Sequence, residues 1–242
     1  MAVAPDVSAS TSSGATTTLT TPTFTIAALA NRAGTLTWHS NASTDTPTGD
    51  IGGTAATAIT GTDSGVVGAN RRSMMMGVVA PPSGTLKTGT VTWTNSVAAA
   101  IGVVVANGVN QGGVNAGTFT NGTFTSATGS NPSLAITSSA GDMTQDGVIG
   151  IDPNSISCVL SAPTQTQQWL INNIASNFMA SGGSTAAGSV SNTHGWTLAT
   201  NGTKNWTSSG VNFAQAATIA LQQGGMLFPR LAQPTSVGLH LG

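Results

Sequence analysis

The chain contains no glutamate, no tyrosine and one cysteine, Cys158. Its 242 residues carry only six Lys or Arg and seven Asp side chains, for a net charge of −1. An ordinary domain has about a quarter of its residues charged. With two lysines there is no basic surface for a phosphate backbone, which argues against nucleic-acid binding. Without Glu, and with so little Lys and Arg, a solvated helix bundle is excluded as well. One cysteine cannot build an internal disulfide framework, so stability must come from packing or assembly. No apolar run reaches the eighteen or so residues of a membrane helix. The opening MAVAPDVSAS has neither a basic nor an apolar stretch of the signal-peptide kind.

What is present is small and polar: 39 Thr, 26 Ser, 17 Asn and 31 Gly make up almost half the chain. Disorder does not follow, because 39% of the residues are apolar and mean hydropathy is +0.14, unlike the charged, hydrophilic composition of disordered chains. Thr, Val and Ile favour a pleated surface, while Gly, Asn, Asp and Ser punctuate turns. The expectation is an all-β protein, an antiparallel sandwich over residues 1–217 followed by a C-terminal arm over 218–242.

Strand-like runs recur at the spacing of a sandwich or barrel. They are expected at residues 24–28, 34–39, 55–60, 73–79, 89–94, 98–106, 117–125, 133–137, 143–151, 196–199 and 211–216. In the block 71–110 the runs Met74–Val79, Thr90–Thr94 and Ile101–Val105 read as one antiparallel meander, with Pro81-Pro82 and Asn95-Ser96 as its reversals. Met74, Met75 and Met76 are expected to fill both faces of one strand, since consecutive strand residues point to opposite sides. Residues 166–179 place Trp169, Leu170, Ile174 and Phe178 at helical spacing, but Asn172, Asn173 and Ser176 weaken a helix there, leaving helix and irregular strand both open. Residues 181–191 read as a loop of small residues. The tail carries Leu221, Met226, Leu227, Phe228 and Leu231 between Gly and Pro breakers, too few for a core of its own. It is expected to dock on this sandwich or on a neighbouring subunit.

The order of these blocks resembles β-sandwich proteins of phage and prophage structural gene clusters. The elements that carry the resemblance are Asn70-Arg71 before an apolar strand, Pro81 to Thr94, Ile101 to Asn110, Ala140 to Ile151, and Gly195 to Phe213. The resemblance spans about residues 5–216. It implies a jelly-roll-like sandwich used in virions, and it carries over no catalytic residue.

Chemistry has few residues to draw on. His39, His194 and His240 lie beside no nucleophile motif and read as surface or turn histidines. Asp142 and Asp146 would be about 13 Å apart along a strand, too far for a glycosidase pair. Asp45, Asp50 and Asp63 lie in loops where calcium is conceivable, though without EF-hand spacing, and solvated turns are preferred. One Cys and three scattered His give no zinc spacing. Cys158 lies in an apolar run and reads as a buried, inert thiol. Trp38, Trp93 and Trp196 read as core, whereas Trp206 and Trp169 are candidate glycan contacts.

The expected function is therefore non-enzymatic and without cofactor: a structural component of a bacteriophage virion, assembled in the host cytoplasm. A capsid decoration or cement protein is preferred to a tail or fibre component, since the chain lacks fibre-like repeats. A carbohydrate-binding module or adhesin is the reading from another class. The expected partners are the chain itself, as a homo-oligomer, and a major capsid protein or tail proteins, with neither nucleic acid nor membrane.

Overall fold

The computed structural model describes residues 1–41, 43–68, 71–152, 156–161, 164–175, 178–199 and 204–217. These residues form an all-β, antiparallel structure. The first half contains β1 (Ala4–Thr20), β2 (Phe24–Ile26), β3 (Ala33–Ser40), β4 (Thr48–Ile51), β5 (Thr54–Ala55), β6 (Thr57–Ala58), β7 (Arg72–Val79), β8 (Gly84–Lys87) and β9 (Gly89–Asn107). After a wide turn at Val114–Thr118, the second half contains β10 (Phe119–Thr128), β11 (Ser133–Ile136), β12 (Met143–Ile151), β13 (Ser157–Leu160), β14 (Thr166–Ile174), β15 (Met179–Ala187), β16 (Asn192–Ala199) and β17 (Asn205–Phe213).

Two large sheets lie face to face. In the first, β1 flanks β9, which pairs with β3, and β3 pairs with β7 and β7 with β6. In the second the order is β10-β17-β12-β15-β14. A smaller sheet, β11-β16-β13, covers the far side of the second sheet. On the far side of the first, the β2–β8 pair and the β4 region play that part. The sandwich expected over residues 1–217 thus divides into two stacked sandwiches.

Three apolar layers follow from strand alternation. Leu36, Trp38, Met74, Met76, Ile101, Val103 and Val105 point into the first sandwich. Met75, Val104, Phe119, Met143, Trp169, Val211 and Phe213 fill the space between the large sheets. Val148, Cys158, Ala180, Trp196, Leu198 and Trp206 line the second sandwich. The three methionines divide between two layers as the alternation requires.

Several local expectations are corrected. The meander over 71–110 does not form, because β3 inserts between β7 and β9. No reversal occurs at Asn95-Ser96; β9 runs through for 19 residues, and Asp45 accepts hydrogen bonds from the Thr94 and Asn95 amides beside it. The strand curls instead of turning: a Cβ on Gly89 would lie 2.3 Å from Val103 Cγ2, so the start of β9 lies over its own second half. Residues 166–174 are strand, interrupted by register shifts on either side of Trp169–Ile171. Residues 179–187, within the stretch read as a loop, form the buried strand β15 between β12 and β14. Its small residues are required because tryptophans press on it from both faces. A Cβ on Gly183 would meet the Trp169 ring at 2.0 Å, and one on Gly182 would meet Trp196 at 2.7 Å. The 17-residue β1 was not foreseen, having hydroxyls where an alternating pattern needs apolar residues. The proposed arm residues Leu221, Met226, Leu227, Phe228 and Leu231 lie outside the described residues, as does His240.

Candidate functional site

The densest group of ionisable and nucleophilic side chains lies inside the second sandwich. β16 alternates His194, Trp196 and Leu198 inward. Facing them, β12 contributes Thr144 and Asp146, and β15 contributes Ser184. Asp146 Oδ1 accepts from the Ser184 amide at 3.1 Å and from Ser184 Oγ at 2.5 Å, and lies 3.2 Å from His194 Nδ1. Its Oδ2 accepts from Trp196 Nε1 at 2.7 Å. Gln165 closes the ring: its Nε2 is 3.0 Å from His194 Nδ1, and its Oε1 accepts from the Gly195 amide at 2.7 Å. Thr144 Oγ1 is 2.9 Å from His194 Nε2.

A Ser, a His and an Asp within hydrogen-bond reach invite comparison with a hydrolytic triad, and the connectivity answers it. In a triad the imidazole stands between nucleophile and carboxylate, one through each nitrogen. Here Ser184 and Asp146 both face Nδ1, the Ser184 hydroxyl donates its hydrogen bond directly to the carboxylate, and Nε2 is occupied by Thr144. Asp146, Ser184 and His194 are each 0% exposed. No reacting atom can approach them, and the cluster acts as a polar core in which each buried group satisfies the next.

The other candidates fall into place individually. His39 and His194, expected at the surface, are buried; the correction follows from alternation, since His39 and Thr37 share one face of β3, and His194 and Trp196 one face of β16. His39 lies between the large sheets, with Nδ1 2.7 Å from Ser181 Oγ. Burial pushes its pKa down to about 3, against an opposing pull from Asp146 and the Gly147 backbone. Cys158 is buried, and its thiol is pushed up to about 12 by burial and then by the charge of Asp146. A thiol so raised is not a nucleophile near neutral pH.

Asp45, Asp50 and Asp63 do not converge. Asp45 binds the Thr94 and Asn95 amides, and hydrogen bonding led by the Asn95 amide holds its pKa below the ordinary value. Asp50 closes the turn at Gly53. Asp63 pairs with Arg72 at 2.6 Å; burial works to raise its pKa, but the Arg72 hydrogen bonds win and hold it low. Arg72 in turn lies 5.6 Å from the centre of the Trp38 ring. Asp142 caps a turn by accepting from the Ser139 amide, Asn212 Nδ2 and the Gln215 amide. Among the described residues, no three His, Cys, Asp or Glu side chains are placed to hold a metal ion.

Trp169 and Trp206, the candidate glycan contacts, are 4% and 6% exposed. Trp169 is packed between Gly102 and Gly183, and Trp206 belongs to the core of the second sandwich. Neither offers a ring face to a sugar, which corrects that expectation. An open depression of about 450 Å³ lies where the loop at Thr60-Gly61 meets Phe119–Gly122. Its amides are committed: Asn115 bonds the Thr60 amide and the Ala58 carbonyl, and Asn121 the Thr137 carbonyl.

Sequence reasoning did not single out Gln165 or Ser184. The alternation His194-x-Trp196-x-Leu198 was the available signal that the histidine turns inward. Comparison with the models of known protein families and with curated proteins finds no match to this chain.

Proposed function

We propose that this chain is a structural component of a bacteriophage virion, present in many copies, with capsid decoration as its position. The observation that supports the reading most is where the reactive side chains go. Asp146, His194, Ser184, Cys158 and His39 are all consumed in the interior, and the partly exposed carboxylates of Asp45, Asp63 and Asp142 are spent on turns and one ion pair. Much of what remains outside among the described residues is Thr, Ser, Asn and Gly, with Leu86, Phe124, Val159 and Val190 exposed among them. Such a surface forms many hydrogen bonds, with little side-chain entropy to lose in a permanent contact, and it has little net charge to hold copies apart.

The sheet edges support the same reading. β1 pairs only with β9, and β10 only with β17, so each leaves one side of its backbone without a strand partner among the described residues. Free edges are contact sites unless guarded by charge, proline or bulges. β10 from Thr123 to Thr128 has none of these and exposes Phe124 beside it. In a virion, the partners are neighbouring copies and the major capsid protein.

Quantifying the chain in purified particles tests the proposal. Hundreds of copies per particle are expected. A few copies, or a few tens, would move the chain to the tail, and its absence would reject the virion reading.

A further inference from the structure

The two stacked sandwiches have the same wiring. Naming the strands of each in chain order, the first large sheet runs β1-β9-β3-β7-β6 and the second β10-β17-β12-β15-β14. In each, the first strand pairs with the last, the last with the third, and the third with the strand that follows the far edge strand, β6 in one sheet and β14 in the other. The covering strands match as well. β2 pairs with β8 as β11 pairs with β16. β4 pairs with the β9 segment that directly continues β8, as β13 pairs with β16. First-to-last, second-to-next and third-to-next pairing in one rolled ladder is jelly-roll connectivity, and this chain has it twice.

The contacts between the two jelly rolls are reciprocal. Thr35 is the third residue of β3 and Gln145 the third of β12, and Thr35 Oγ1 donates to Gln145 Oε1 at 2.6 Å. The fifth residues, Thr37 and Gly147, also meet: a Cβ on Gly147 would lie 2.6 Å from Thr37 Cγ2. Away from this centre the contacts come in pairs. β1 touches β14 through Ser8 Oγ and the Gln168 carbonyl, and its counterpart β10 touches the loop after β6, where Gly122 abuts Thr60. Gly102 of β9 lies under Trp169 of β14, and Ser209 of β17 donates to the carbonyl of Thr62, beyond β6. Equivalent residues touching at the centre, with i-to-j matched by j-to-i around it, is the signature of an isologous two-fold interface.

We propose that the chain is a covalently fused pair: the large-sheet face of each jelly roll is a self-sufficient docking surface whose partner is another jelly roll of the same kind. The segment from Gly108 to Gly113 tethers the pair and is not needed to hold it together. It crosses between the halves in a Gly-rich stretch, and Gln111 and Gly112 are exposed.

The test uses the whole chain with a protease recognition sequence inserted between Gly112 and Gly113. After complete cleavage the two pieces are expected to co-elute at the size of the uncut variant, and to exchange partners with tagged, cleaved protein on mixing. Pieces that separate, or that precipitate where the uncut variant stays soluble, would overturn the proposal. In the cleaved protein, Gln145→Lys is expected to weaken association at least about tenfold by leaving a buried unpaired charge. Adding Thr35→Asp is expected to restore most of it. Failure of the second substitution to rescue the first would remove the central contact from the interface.

Discussion

The two sandwiches share the strand order of their large sheets and differ inside. The first is filled with hydrocarbon and sulfur: Leu36, Trp38, Met74, Met76, Ile101, Val103 and Val105, with Trp38 and Trp93 5.7 Å apart. The second places an Asp, a His, a Ser and a Gln at the centre, with Trp196 bonded to the carboxylate. The same ladder of strands accepts either filling. Apolar packing there is non-directional and tolerates exchange of similar volumes. A polar centre stands only if each member is satisfied, so removing one leaves the others buried and unpaired.

That difference sets the expected losses. Asp146→Ala removes the acceptor of Ser184 and Trp196 together and is expected to destabilise the protein by about 3–5 kcal/mol. Hydrogen exchange should localise the loosening to β12, β15 and β16. A loss under about 1 kcal/mol in denaturant titration would show that the cluster is incidental. Leu36→Ala in the first sandwich leaves a cavity, expected to cost about 2–5 kcal/mol, with exchange accelerating in β3, β7 and β9 instead. Equal acceleration in both halves for either variant would mean that the two interiors are not separable.

Acid probes the space between them. Folded His39 has a pKa of about 3 against an ordinary 6.5, so between those values the unfolded chain binds a proton that the folded chain refuses. Its contribution is complete above pH 6.5 and lost as the pH falls, by about 2 kcal/mol at pH 5. Comparing denaturation midpoints of the wild type and His39→Asn from pH 7 to 4 measures it; parallel curves would remove His39 as the cause. The smallest expected effect is Asp63→Asn. It breaks the ion pair with Arg72 at a carboxylate 39% exposed, so solvent screening leaves about 1 kcal/mol or less. Because the folded Asp63 pKa is depressed, that loss fades as the pH falls through and below 3.8, a window lower than that of His39.

Much of the fold was legible because alternation is local. Trp93 in the core and three methionines on two faces follow from period two, and Met143–Ile151 was legible as a strand, though not as one buried on both faces. What was not legible depends on partners distant in sequence. β1 is a strand because β9 offers it a ladder, not because of its own pattern. β15 looks like a loop until Trp169 and Trp196 are seen to need glycine beneath them. Asn95-Ser96 has turn composition, yet Asp45, fifty residues away, holds it extended. The polar cluster was hidden for the same reason, since its residues come from four strands or loops and none forms a spaced motif.

One consequence of β9 is mechanical. Its 19 residues run about 60 Å at strand rise, hydrogen-bonded to β1 along one side and to β4 and β3 in succession along the other. Because the strand curls, a pull along its second half loads the β1 and β3 ladders in shear, so those bonds must fail together rather than open one after another from an end.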